Sequence, residues 1–294
     1  MSLDYVHVDV FSTRPYGGNS LAVFTNASGL SSGQMQAITT EMRHFESIFL
    51  EPDGSKRSYK ARVFDLIEEL DFAGHPLIGA ACVLHANTGS GPVERWSFSL
   101  HARNVTVETK RRDDGYFAVL DQGAADFLGE PPSMMRGELA SWFSLNEQDL
   151  DGYLPPQVVS TGLRYLVLPV RGDALGRARI SAADLEAKLA VLGAQFAYLL
   201  DAEALEGRHW NNDGVVEDVA TGSGAGCAAA YLRRHDRISD GQTATLKQGR
   251  FVGRPSELAI RAWGSGAQIT SVEVGGAVAM VGRGTLDALP ERLR

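Results

Sequence analysis

Asp71-Phe-Ala-Gly-His-Pro-Leu-Ile-Gly79-Ala-Ala-Cys-Val-Leu84 and Asp218-Val-Ala-Thr-Gly-Ser-Gly-Ala-Gly226-Cys-Ala-Ala-Ala-Tyr231 are one pattern written twice, 147 residues apart in a chain of 294. Asp71 matches Asp218, Ala73 matches Ala220 and Gly79 matches Gly226. Each stretch is a small-residue turn running into a helix. Leu77, Ile78, Val83 and Leu84, with Ala and Gly between them, leave the first helix no solvent face, and the second is equally apolar but thinner. A helix apolar all round must be enclosed by protein.

The segments around these helices read mostly as strands. Tyr5–Phe11 alternates, with Val6, Val8 and Val10 on one face. Leu21–Phe24, Glu46–Leu50 and Tyr59–Leu66 are extended, as are Arg95–Leu100, Val105–Thr109 and Tyr116–Leu120. In the second half Leu163–Val170, Phe196–Leu200, Ala244–Lys247, Leu258–Ala262 and Ile269–Val274 read the same way. Ser31 and Gln34 form a capping-box signature for a helix ending near His44. Gly137–Phe143 and Ser181–Leu192 are further helices, the latter with Ser181 as N-cap. The βα alternation of a doubly wound sheet is missing. The expected fold is therefore α+β, with two similar domains, each a curved, mainly antiparallel sheet around a central apolar helix. The halves are placed at 1–125 and 126–294, with Gly123–Pro132 as linker and the last strand free to pair back to the first half.

Composition excludes several functions. Apolar residues make up 44% and charged residues 22%, ordinary for a soluble globular chain. Net charge is −8, and the one basic cluster, Lys110-Arg111-Arg112, reads as a hairpin turn, so no nucleic-acid surface is expected. No apolar run reaches the roughly 18 residues of a membrane span. The N-terminus lacks the pattern of a signal peptide, which makes the cytoplasm the default address. The two cysteines, Cys82 and Cys227, have no CxxC spacing and read as buried packing residues, and the histidines show no metal-ligand spacing.

Chemistry concentrates at the helix mouths. Pro76 suits a first helical turn, which puts Gly74 and His75 at the mouth of the first helix. Thr221-Gly222-Ser223-Gly224 does the same for the second. Free N–H groups and the helix dipole favour an anion there. Taken singly, each turn reads as a tight packing element. Two equivalent turns, each beside a polar side chain, point to a shared carboxylate or phosphate site. The spacing Gly222-x-Gly224-x-Gly226 outside a βαβ unit is a poor dinucleotide fingerprint. On strand alternation alone Glu46 points outward, and Asp71 and Asp218 read as helix-entry acids. A desolvated Glu46 would instead be a usable acid or base.

Phe72-Ala-Gly-His-Pro76, Gly214-Val-Val-Glu-Asp218, Ala220-Thr-Gly-Ser223 and Glu41-Met-Arg-His-Phe-Glu46-Ser47, with Val8-Asp-Val-Phe11 and Gly18-Asn19, closely resemble the PhzF family of phenazine-biosynthesis isomerases. The resemblance spans nearly the whole chain with the motifs in order. It implies a diaminopimelate-epimerase-like fold of two similar α/β domains with the site in the cleft between them. It also implies a homodimer that needs no cofactor and no metal. The founding enzyme isomerises trans-2,3-dihydro-3-hydroxyanthranilate, moving a proton from C3. By resemblance Glu46 is the acid/base, and His75 and Asp218 bind the substrate and assist protonation. Gly74, Gly222, Ser223 and Asn19 are then the substrate-binding positions. Related epimerases use two cysteines, whereas Thr221 stands at one of those places here, which disfavours a two-thiol mechanism.

The chain also departs from the family pattern. Ser20 replaces a proline, His44-Phe45 replaces Leu-Ser, Asp65-Leu66 replaces Thr-Pro, and Arg208–Asp213 reads as a shortened loop. These bear on the substrate more than on the chemistry. The leading expectation is a cofactor-independent isomerase acting on a small carboxylate-bearing substrate. The alternatives are an epimerase using Glu46 and Asp218 as opposed bases, and a protein that binds a carboxylate metabolite without turnover.

Overall fold

The computed structural model describes residues 2–101 and 103–291. The chain divides into two compact units, Met1–Asp121 with Gly275–Arg294 (unit 1) and Gln122–Val274 (unit 2).

In unit 1, β1 (Leu3–Val10) runs antiparallel to β2 (Asn19–Phe24). Helix α1 (Ser32–Met42) crosses to β3 (Glu46–Pro52), which lies parallel to β2. β4 (Ser58–Asp65) returns antiparallel to β3 and pairs with the two-residue β5 (Glu69–Leu70). After α2 (Gly74–Thr88), β6 (Val93–Ser99) pairs parallel with β4, and β7 (Asn104–Arg112) and β8 (Gly115–Gly123) add antiparallel. Lys110-Arg111-Arg112 closes the β7–β8 hairpin, with Arg112 opposite Gly115.

Unit 2 uses the same sequence of pairings. β9 (Asp126–Gly129), then α3 (Arg136–Ser141), precede β10 (Gln157–Ser160), which pairs antiparallel with β9 and with β11 (Arg164–Pro169). Helices α4 (Ala174–Arg177) and α5 (Leu185–Val191) cross to β12 (Phe196–Asp201), parallel to β11. β13 (Glu206–Trp210) is antiparallel to β12 and to the two-residue β14 (Glu217–Asp218). After α6 (Gly222–Arg234), β15 (Ala244–Gln248) meets β13 in parallel and β16 (Ser256–Ser265) in antiparallel. β17 (Gln268–Leu286) is much longer than its sequence signal, and its stretch from Val278 to Leu286 pairs antiparallel with β1.

Alternation along the strands gives each sheet two covered faces. In unit 1, Ala22, Phe24, Phe49 and Phe64 pack with Met35 and Ile38 of α1, and the Phe24 and Phe49 rings stack at 4.6 Å. Leu21, Val8 and Val10 lie instead against α2, whose residues Gly74 through His85 are all buried. In unit 2, Leu166, Leu168, Ala197, Leu199 and Trp210 share a core with Leu185 and Leu189 of α5 and with Leu139 of α3. The α6 helix, buried from Gly222 to Arg233, contacts β10, β11, β12 and β16. No helix among the described residues is long and apolar enough to cross a membrane.

Three local expectations change. The Ser31–Gln34 capping box forms, but α1 stops at Met42 because Arg43 adopts φ 58°, a left-handed cap. Ser181 does not cap a helix. Its N–H and hydroxyl bond the carbonyls of Trp142 and Ser141, tying it to the end of α3, and α5 starts only at Leu185. Gly123–Pro132 is not a slack linker, since β9 lies inside it and pairs with β10.

Candidate active site

Glu46 opens β3 opposite Leu21 of β2 and Asp65 of β4. Its neighbours Ser47 and Phe49 take the α1 face, so Glu46 shares the α2 face with Ile48. The outward orientation expected from alternation is therefore overturned. Alternation holds, but a helix covers each face, and Glu46 is only 8% exposed. Its Oε2 lies 3.5 Å from Nδ1 of His75, which is itself buried. His75 is the second residue of α2, between Gly74 and Pro76, and the N-cap Ala73 brings no capping side chain. Asn19 is buried at the start of β2, opposite Val10. An acid, an imidazole and a helix N-terminus thus meet within unit 1.

Two departures from the family pattern form one feature here. The Ser20 hydroxyl lies 2.7 Å from His44 Nδ1 and 2.9 Å from His7 Nε2. One hydroxyl carries one proton, so at least one ring nitrogen must donate. Phe45 is half-buried beside them.

In unit 2, Asp218 is buried and holds the turn into α6. Its Oδ2 accepts from the Thr221 hydroxyl at 2.6 Å, and its Oδ1 accepts from the Ala220 N–H at 3.3 Å. Gln248 completes the ring. Its Nε2 donates to the Asp218 carbonyl and to Thr221 Oγ1, both at 2.9 Å, while its Oε1 accepts from the Tyr198 hydroxyl at 2.9 Å and the Thr221 N–H at 3.3 Å. Burial pushes the Tyr198 phenol well above its usual range, and the Asp218 charge adds to this. Gly222 and Ser223 are the first two residues of α6, and Ser223 Oγ lies 2.9 Å from the Tyr165 hydroxyl. Asp71, the sequence counterpart of Asp218, is exposed.

Sequence reasoning missed Tyr165, Tyr198 and Gln248. Each sits on a strand where alternation marks the face but not the polar tip. Arg208–Asp213, read as a shortened loop, is half strand. Arg208 and Trp210 are buried in β13, and Arg208 forms a 2.6 Å ion pair with Glu217. Both cysteines are buried, and burial pushes the Cys227 thiol up to about 12 and the Cys82 thiol up as well. Neither supplies a thiolate near neutral pH. Among the described residues, no group of three or more His, Cys, Asp or Glu side chains is arranged to hold a metal ion.

The family model for phenazine biosynthesis-like protein matches residues 8–284. The chain belongs to this phenazine biosynthesis-like family. Within it, the chain is 32% identical to trans-2,3-dihydro-3-hydroxyanthranilate isomerase of Pseudomonas fluorescens, over 96% of this chain and 99% of that protein. A solved structure from Pseudomonas aeruginosa, described as a predicted epimerase, is 48% identical with a TM-score of 0.92, covering 97% of this chain and 99% of that one. The fold extends beyond the phenazine biosynthesis-like family. A hydroxyproline epimerase from Agrobacterium vitis superposes with a TM-score of 0.64 at 13% identity, over 97% of this chain and 92% of that one. The fold is accordingly α+β, sheet-rich and of the epimerase-like type, and the chain is an isomerase.

Proposed function

We propose that this isomerase moves a proton on a small carboxylate-bearing substrate, with Glu46 as the acid/base. The observation that carries this reading is the buried Glu46 carboxylate 3.5 Å from His75 at the mouth of α2. A carboxylate held in one place within reach of a substrate C–H can act as general acid and base. In this reading His75 and Asp218 bind and orient the substrate, and Gly74, Gly222, Ser223 and Asn19 complete its binding positions. Fixing the carboxylate places the acidic C–H near Glu46, and positioning supplies much of the rate. The two units are versions of one domain, each a curved sheet around its own central helix. The family resemblance further suggests a cytoplasmic homodimer that works without cofactor or metal.

The test substrate is trans-2,3-dihydro-3-hydroxyanthranilate, named for the Pseudomonas fluorescens relative. An ultraviolet and NMR time course compares wild type with Glu46→Gln. Conversion by wild type, with a loss of about 10²–10⁴-fold in kcat for the variant, supports both substrate and base. No conversion by folded wild type rejects that substrate. Deuterium entering from solvent with inversion at one carbon would redirect the assignment to an epimerase.

A further inference from the structure

His209 is buried in β13 and carries none of the roles described so far. Its neighbours Arg208 and Trp210 face the α3–α5 core: Trp210 belongs to that core, and Arg208 donates to the carbonyls of Leu175 and Ala178. Strand alternation therefore turns His209 to the other face, the one that bears α6. Gly207 confirms the direction, since a side chain there would run into the Tyr198 ring. His209 sits directly opposite Asp218 in the β13–β14 pair, and opposed residues of an antiparallel pair share a face. Its ring packs edge-on against Tyr165 at 5.5 Å and Phe196 at 5.6 Å, and Tyr165 is the residue bonded to Ser223.

The tautomer follows from one contact. His209 Nδ1 lies 2.9 Å from the Ala197 carbonyl, and a carbonyl can only accept, so Nδ1 carries the proton. The ring's remaining hydrogen-bonding atom, Nε2, is then an acceptor. Burial lowers the imidazole pKa, which keeps this tautomer neutral, although the Asp218 charge works in the other direction. Nε2 is thus an acceptor on the face that bears α6, opposite Asp218 and within reach of its charge. A donor on a ligand suits Nε2, and a carboxylate suits the helix end.

We propose that His209 contacts the substrate and selects for it, with Nε2 accepting a hydrogen bond from an amino or hydroxyl group adjacent to the substrate carboxylate. This rests on the carboxylate-binding reading given above and assigns a residue of this chain to an amino or hydroxyl group that the test substrate carries near its carboxylate.

Calorimetry with two probes, anthranilate and benzoate, isolates the donor, because they differ by one amino group. Wild type is expected to prefer anthranilate by about tenfold, the scale of one hydrogen bond. His209→Asn can keep the bond to Ala197 while removing Nε2, and His209→Phe keeps the ring edges. Both are expected to bring the preference to about one while benzoate still binds. Preference unchanged in both variants, or absent in wild type that binds both acids, overturns the role of His209 and leaves the carboxylate site standing. Binding of neither acid by wild type overturns the carboxylate site and this proposal with it. A measurement on wild type alone guards against unfolded variants. In protein labelled with 15N-histidine, anthranilate but not benzoate should shift the His209 Nε2 resonance, and the same shift with both, or none, sinks the idea.

Discussion

Asp218 holds the turn with its two oxygens and stands beside a helix mouth, and substitution can separate these duties. Asp218→Asn can still accept from the Thr221 hydroxyl, so its fold should hold while kcat/KM falls if the charge is used on substrate. Asp218→Ala leaves the buried Thr221 hydroxyl without that acceptor and should cost about 1–3 kcal/mol as well, read from denaturant midpoints. Equal activity in Asp218→Asn and wild type would reduce Asp218 to a structural acid. The cysteines give a second residue-scale prediction. With the Cys227 thiol pushed up to about 12 by burial, iodoacetamide should leave the native protein unmodified and active over hours at pH 8. Rapid alkylation with inactivation would return a thiol mechanism to consideration. The residues of the proposed site were legible in proportion to their backbone signal. Gly74, His75, Gly222 and Ser223 lie in turns that glycine and proline announce. Glu46 does not, because its burial depends on α2 covering a strand face that alternation alone assigns to solvent. Tyr165 and His209 give no local sign, since a polar tip on an otherwise buried strand residue looks like an ordinary core aromatic or a surface imidazole.

Gly79 and Gly226, the repeated glycines of the opening pattern, let α2 and α6 approach their sheets. A Cβ on Gly79 would lie 2.5 Å from Leu21 Cδ2 and 3.0 Å from Val10 Cγ2. One on Gly226 would collide with the Gln122 amide and sit 3.0 Å from Thr161 Oγ1. Gly79→Ala and Gly226→Ala should each destabilise by about 1–3 kcal/mol through overpacking, despite the better helix propensity of alanine. A rise in melting temperature for either would show that the helix is free to move off its sheet. These elements were readable because a helix without a polar face admits one environment only. The α1 boundary was readable within two residues because its capping box is local. Ser181 misled for the opposite reason: it has the composition of a cap, but carbonyls near the end of α3 take its hydroxyl and its N–H. Pairing of the last strand back to the first half was expected, but the length of β17 was not, since the partner of its later residues, β1, lies at the opposite end of the sequence.

The molecule as a whole should lose stability with acid in two stages. His209 and His235 both have imidazole pKa values lowered chiefly by burial. The unfolded chain therefore binds protons at these sites from roughly pH 6.5 downward, before the native state does, and stability falls over that window. Glu94, Glu108 and Asp149 are held below the usual carboxylate range. For Glu94 the main cause is the N–H groups of Gly91 and Ser90, and for Asp149 it is Arg177. Lys110 and Arg95 outweigh the burial of Glu108. Their contribution is complete above the unfolded carboxylate pKa of about 4, and disappears as pH drops through the lower folded values. Melting temperature against pH should thus slope gently downward below about 6.5 and steeply below about 4. Replacing His235 with Gln should flatten the first slope and leave the second unchanged. A first stage that persists undiminished in a double variant lacking both His209 and His235 would place the titrating groups elsewhere, and would also remove the argument that burial keeps the His209 ring neutral at its position beside Asp218.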